Sequence, residues 1–192
     1  MQAIQKTMRA DSYNFFASIF LNLPDEEFIH KIRALKLSGT NALDLWEKYI
    51  NESVNLSDGE MLQEILIDRT YLIRGLSQEG PRPPYESLYM GGAFKEILSS
   101  INVFYARNNY IVSPEVREPG DYIGIELSFM KALCLDGEIC ALQKEFYQKH
   151  LGRWAQDCAK EIIRFAKTGF YKSIGQMLLE FIAEEDSLLR SS

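Results

Sequence analysis

The chain has 192 residues, with 21 Lys and Arg against 27 Asp and Glu, a formal net charge of −6. Hydrophobic residues make up 46% and charged residues 25%, an apolar share too high for intrinsic disorder and enough to build a core without staples. The acidic balance argues against a general nucleic-acid surface, which needs basic groups for phosphates, and twelve glycines and six prolines are too few for an all-β fold with its frequent turns.

Ile4, Met8, Phe15, Ile19 and Leu23 recur at helical spacing and predict a first helix over 4–22. Lys6 and Arg9 ahead of this stretch superficially suggest a secretory signal, but Asp11 and Asn14 interrupt it and no small-residue cleavage site follows. Pro24 is expected at the start of a second helix, with Asp25, Glu26 and Glu27 in the first turn at the positive dipole end. Phe28, Ile32 and Leu35 give its apolar face, and Ser38-Gly39 ends it. A third helix covers 42–50, with Leu43, Trp46 and Ile50 in line. Ser57-Asp58-Gly59-Glu60 is a capping-box pattern. It opens a fourth helix striped by Leu62, Ile65, Leu66, Arg69 and Ile73, ending near Gly75.

Proline at 81, 83 and 84 excludes helix from 78–84. The tyrosines and leucine of Pro-Tyr-Glu-Ser-Leu-Tyr, 84–89, suggest a packed loop rather than a solvated tether. Helix returns over 92–108, with Phe94, Ile97, Leu98, Ile101 and Tyr105 aligned. A loop over 109–118 leads to Pro119, expected at a first helical position with Asp121 in the first turn. That helix runs to about 135, turning Tyr122, Ile125, Glu126, Phe129 and Leu133 inward, and Gly137 separates it from a helix over 138–151. Trp154, Cys158, Ile162 and Phe165 stripe the next helix, and Gly169 breaks it. Phe170, Ile174, Met177, Leu178, Phe181 and Ile182 stripe the last. The expectation is an all-α fold, one globular domain over 1–192 with about nine helices. No uncharged apolar run reaches the roughly 18 residues of a membrane span, so a soluble cytoplasmic protein without membrane insertion is expected.

Chemical motifs are sparse. Cys134, Cys140 and Cys158 cannot all pair, show no C-x-x-C, and fall on apolar stripes, so they read as reduced, buried thiols. With only His30 and His150, no metal is expected, and no cofactor. The phosphate-loop, G-x-G-x-x-G, H-E-x-x-H and G-x-S-x-G patterns are missing, so the chain does not read as an enzyme. His150 reads as a packing or hydrogen-bonding residue. His30, flanked by Glu26, Glu27 and Lys31, reads as solvated. Residues 118–130, E-P-G-D-Y-I-G-I-E-L-S-F-M, place three carboxylates on one helical entry, with Tyr122 and Glu126 on one face. Spacing alone favours capping by Glu118 or Asp121 and a structural, buried Glu126 paired with an arginine of a neighbouring helix.

This stretch resembles the E-P-x-D-H-I-x-x-E-L-x-F-M signature of the TorD/DmsD family, cytoplasmic maturation chaperones of molybdenum-containing oxidoreductases with NarJ as a more distant relative. Upstream, 68–75 looks like the family's helix end before a glycine, and Pro83-Pro84-Tyr85-Glu86-Ser87-Leu88-Tyr89 is similar to its P-P-[YW]-E-S-[VL]-[YW]. Phe146-Tyr147, His150-Leu151, Trp154 and Gly169-Phe170-Tyr171 are similar to its F-x-x-x-H-L-x-x-W and later F-Y. The likeness spans about 8–185. One position departs: Tyr122 stands where the family has histidine, keeping an aromatic face but no cationic state near neutral pH.

The resemblance implies an all-α chaperone with its two signature loops close in space. It implies binding of the twin-arginine signal peptide and catalytic subunit of a molybdopterin-dependent reductase, held until the cofactor is inserted. Such a peptide needs carboxylates for its guanidinium groups, which Glu86, Glu118 and Asp121 can supply. It needs aromatic contacts, which Tyr71, Tyr85, Tyr89 and Tyr122 can supply beside Pro84. The alternatives are a NarJ-like assembly factor for a subunit on the cytoplasmic side and a nucleotide-binding accessory protein. A monomer or a segment-swapped dimer is compatible, with 78–84 and 109–118 as hinges.

Overall fold

The computed structural model describes residues 2–36, 41–76, 79–91, 94–136 and 141–190, with side chains from Thr7 onward. Among the described residues there are ten α-helices and no strand. They are α1 Gln2–Leu21, α2 Glu26–Ala34, α3 Leu43–Glu52, α4 Asp58–Arg74, α5 Glu86–Tyr89, α6 Phe94–Arg107, α7 Ile123–Asp136, α8 Ala141–Lys149, α9 Ala155–Phe165 and α10 Gly169–Arg190. Short 3-10 turns cover Ser53–Asn55 and Leu151–Arg153. None of these helices is long and apolar enough to cross a membrane. The chain packs as two compact units: Met1–Asn22, Pro84–Gln156 and Phe181–Ser192 form one, Leu23–Pro83 and Asp157–Glu180 the other.

In the second unit, α2 begins two residues later than the proline suggests. Asp25 is the N-cap, its side chain accepting from the Phe28 amide, and Pro24 precedes the cap. A carboxylate can satisfy a free helix N–H, whereas proline only presets a dihedral. Helix α2 buries Ile29 and Ile32, not Leu35, and Ser38-Gly39 lies outside the described residues. Ser57 and Glu60 complete the reciprocal capping box of α4. Helix α4 stops at Gly75, whose φ of 56° is left-handed. A Cβ there would lie 2.8 Å from the Pro83 ring and 2.9 Å from the Pro81 carbonyl oxygen, so the proline run folds back on the helix end. The buried line of α4 is Met61, Ile65, Asp68 and Leu72 with Ile73. This stripe is rotated from the expected one because buried Asp68 accepts from the Lys167 and Thr168 amides and the Thr168 hydroxyl at 2.7–3.0 Å. The break between α9 and α10 therefore lies at 166–168, and Gly169 opens α10.

In the first unit, α7 is buried nearly all round, from Ile123 through Leu127 and again at Phe129, Met130, Leu133 and Cys134. Helix α1 lies against it; a Cβ on Gly124 would come within 2.9 Å of Leu21 Cγ. Arg9 of α1 forks onto buried Glu185 of α10 through Nε and Nη2, both at 2.7 Å, and the Tyr13 hydroxyl donates to the same carboxylate. Tyr105, Phe104, Tyr110, Phe129 and Phe146 form an aromatic cluster between α6, α7 and α8. Cys134 and, in the other unit, Cys158 are free buried thiols; Cys140 and Gly137 lie outside the described residues.

Candidate functional site

The segment entering α7 is not the helical entry the proline suggests. Residues 119–122 form a turn closed by the Tyr122 amide donating to the Pro119 carbonyl, and α7 begins only at Ile123. The turn is held from outside. The Glu86 amide donates to the Asp121 carbonyl at 2.9 Å, the Ile123 amide donates to the Pro84 carbonyl at 3.0 Å, and Tyr85 and Tyr122 pair as an antiparallel bridge. Tyr85 is extended, so the chain runs alongside the turn before winding into α5. The two signature loops, expected to be close in space, are joined backbone to backbone within the first unit.

Side chains complete the junction. Asp121 Oδ2 accepts from the Ser87 hydroxyl at 2.6 Å and the Ser87 amide at 3.2 Å. It does not cap its own helix, contrary to the expectation from its position two residues after Pro119. Glu86 Oε2 lies 2.8 Å from His150 Nδ1, and His150 Nε2 lies 2.9 Å from Ser100 Oγ. The Trp154 indole N–H donates to Glu126 Oε2 at 3.4 Å. Glu126 thus meets an indole, not the arginine that spacing suggested. His150 and Trp154 come from the third motif, so all three motifs converge here. Ser87 belongs to the 83–89 motif and Tyr105 to the stripe of α6, but neither pattern assigns them a partner, and Ser100 carries no signal in the sequence; only the tertiary fold pairs them with this junction.

The three carboxylates Glu86, Asp121 and Glu126 are each fully buried, as is Tyr122, whose hydroxyl donates to the Phe20 carbonyl. One oxygen on each acid, Glu86 Oε1, Asp121 Oδ1 and Glu126 Oε1, has no hydrogen-bond partner among the described residues. Burial first, then the charge of Glu86, pushes the Glu126 carboxyl well above the usual range; the Trp154 bond opposes this and Asp121 adds to it. Burial, then Glu126, raises the Tyr105 phenol, which donates to the Gly120 carbonyl.

Of the eight residues assigned to peptide contact, Pro84, Glu86, Asp121 and Tyr122 are buried within the junction. Tyr85, Tyr89 and Glu118 are half-buried. The Tyr85 hydroxyl donates to Glu118 at 2.5 Å, the Tyr85 ring lies 5.3 Å from Tyr122, and the Tyr89 ring lies 5.2 Å from Trp154. Tyr71 belongs to the second unit, where the Lys167 ammonium lies 5.2 Å from its ring. No group of three or more His, Cys, Asp or Glu among the described residues is arranged to hold a metal ion.

Comparison with known proteins matches residues 35–160 to the family model described as nitrate reductase delta subunit. The chain is 27% identical to the chaperone protein TorD of Vibrio atlanticus, covering 90% of each. It is 23% identical to the TorD protein of Vibrio parahaemolyticus, covering 94% of each. Among solved structures it is similar to a redox enzyme maturation protein from Archaeoglobus fulgidus, with a TM-score of 0.54, 20% identity, and coverage of 92% of this chain and 94% of that one. That likeness shows a shared fold.

Proposed function

The chain belongs to the nitrate reductase delta subunit family, and from that premise we propose that it is a cytoplasmic maturation chaperone. Its client is a molybdopterin-dependent reductase, whose twin-arginine signal peptide it binds and whose catalytic subunit it holds for cofactor insertion. The observation that carries this reading is the convergence of three sequence motifs on one junction, through Ser87–Asp121, Glu86–His150 and Trp154–Glu126. Two relatives spanning nearly the full length bear the name chaperone protein TorD.

The half-buried face of that junction suits an arginine. Glu118 offers a carboxylate and Tyr85 and Tyr89 offer rings, the combination that receives a guanidinium by charge-assisted bonds and cation–π attraction. Buried Glu86, Asp121, Tyr122 and Pro84 are assigned to holding this face in place. Calorimetry with the client's signal peptide tests the assignment. Glu118→Gln and Tyr85→Ala should each weaken binding roughly tenfold to a hundredfold, the worth of a lost charge-assisted contact. Replacing both peptide arginines by lysine should do the same. Equal affinities across proteins and peptides would remove this surface from the account.

The non-enzymatic reading has a specific point to meet, because Ser100, His150 and Glu86 connect in the order of a hydrolase triad. Ser100 lies inside α6, where successive amides are spent on helix hydrogen bonds and cannot hold an oxyanion. A fluorophosphonate probe is therefore expected to leave Ser100 unlabelled. The family description favours one second reading, assembly of a reductase subunit that stays on the cytoplasmic side. Capturing this protein with its client, and reading whether that client carries a twin-arginine signal, separates the two.

A further inference from the structure

We propose that the Glu86, Asp121 and Glu126 carboxyls, each with an unpartnered buried oxygen, form a proton-operated latch beneath the candidate peptide surface. With a proton on Glu126 the loops 84–89 and 118–122 stay joined; without it they loosen. The inference rests on the reading above only in what the latch serves, namely regulation of that same surface.

The argument is one of donors against acceptors. Three acids with no exposure share four donors, the Ser87 hydroxyl and amide, a His150 ring nitrogen and the Trp154 indole. Each donor serves one oxygen of its acid and leaves the other empty. Among the described residues, no lysine or arginine is a bonded partner of the three acids. Three ionised carboxylates beside one imidazole would leave buried charge uncompensated, which is strongly unfavourable away from water. A retained proton removes that cost, and Glu126 is where it belongs. Glu126 has a single bond, long at 3.4 Å, to an uncharged donor. The titratable groups facing it are Glu86 from α5, Asp121 from the turn before α7, and Tyr105 from α6, with His150 beyond Glu86. Burial first, then Glu86, push its carboxyl upward; the Trp154 bond opposes them and Asp121 adds to them.

Charging Glu126 strikes the junction on both sides. It repels Glu86 in one loop and Asp121 in the other, and those two residues carry the bonds between loops: Glu86 amide to Asp121 carbonyl, and Ser87 to the Asp121 carboxylate. Because the folded carboxyl sits above its ordinary range, the latch is closed at low pH. It opens as pH rises through the folded value.

The test is amide hydrogen exchange on the whole protein without peptide, across a pH series, expressed as the ratio of wild type to Glu126→Gln so that base catalysis of exchange cancels. The reporting amides are Glu86, Ser87 and Ile123, which bond across the junction. The ratio should be near one at the acid end and climb by tenfold or more as pH rises, while Glu126→Gln stays closed. A ratio that is flat at every pH overturns the latch. Should the variant not fold, infrared spectroscopy of the wild type decides. A protonated carboxylic acid band should persist at neutral pH and fade with the same midpoint as loop opening; absence of that band at neutral pH overturns the proposal. Peptide plays no part, so a failure of peptide binding removes the surface assignment without touching this result.

Discussion

Ser87 gives its hydroxyl and its amide to one oxygen of Asp121, at 2.6 and 3.2 Å, across 34 residues of sequence. The aspartate that reads as a local helix cap is therefore the clasp between two loops. Its neighbour Glu86 repeats the arrangement with His150 over 64 residues. The junction is fixed by buried polar pairs whose members have little other reason to be where they are.

Ser87→Ala should destabilise the protein by about 1–3 kcal/mol, because Asp121 loses its shortest bond and stays buried. Leu88→Ala, one residue on and exposed, should stay within about 0.5 kcal/mol of wild type. Urea unfolding midpoints at constant m compare the two.

The pH dependence of stability carries the sign of Glu126. Its folded carboxyl is raised, so the stability it contributes is complete below the ordinary glutamate range and is lost as pH rises through the folded value. Glu126→Gln keeps an acceptor for the Trp154 indole and never ionises. It should match wild type at the acid end and exceed it at and above neutral pH, by a margin that widens with pH. An arginine partner would have made the same change costly; the indole partner reverses the expectation. Unfolding curves for both proteins at several pH values decide it.

Gly152 sits under Tyr147: a Cβ there would lie 2.4 Å from the ring of that buried tyrosine, which is pinned by its hydroxyl to the Ile182 carbonyl. Gly152→Ala should cost about 1–3 kcal/mol through overpacking. Gly91→Ala meets no atom within 4 Å but has a φ of 82°, so backbone strain alone should cost about 1–2 kcal/mol. Thermal melts of the pair separate crowding from strain.

The single-domain expectation translates into cooperativity. Neither unit is one continuous segment, and α9 and α10 each contribute residues to both. We expect one unfolding transition, coincident by far-ultraviolet dichroism and tryptophan fluorescence. Trp46 and Trp154 report on different units. Two separated midpoints would mean the units unfold independently.

Cys134 and Cys158 are buried, so a thiol reagent should find them unreactive in the native protein. All three cysteines should titrate after unfolding, since none is expected to be in a disulfide.

What could be read from the sequence was local. Helical periodicity, the Ser57–Glu60 capping box and the left-handed stop at Gly75 depend on residues within one or two turns of each other. The motifs 83–89 and 118–130 were visible as patterns, and their closeness came from resemblance. The start of α7, the partner of Glu126 and the orientation of Asp121 were not visible. Each was decided by a group 28 to 39 residues away, Pro84 for the start of α7, Trp154 for Glu126 and Ser87 for Asp121, and no period along the chain encodes such a distance. The same holds for exposure. Sequence marks Glu86, Asp121 and Glu118 as equivalent acids, but packing buries the first two completely and leaves the third half-open. A carboxylate's role depends on which donors the fold brings to it and how much water it keeps, and only the tertiary structure sets both.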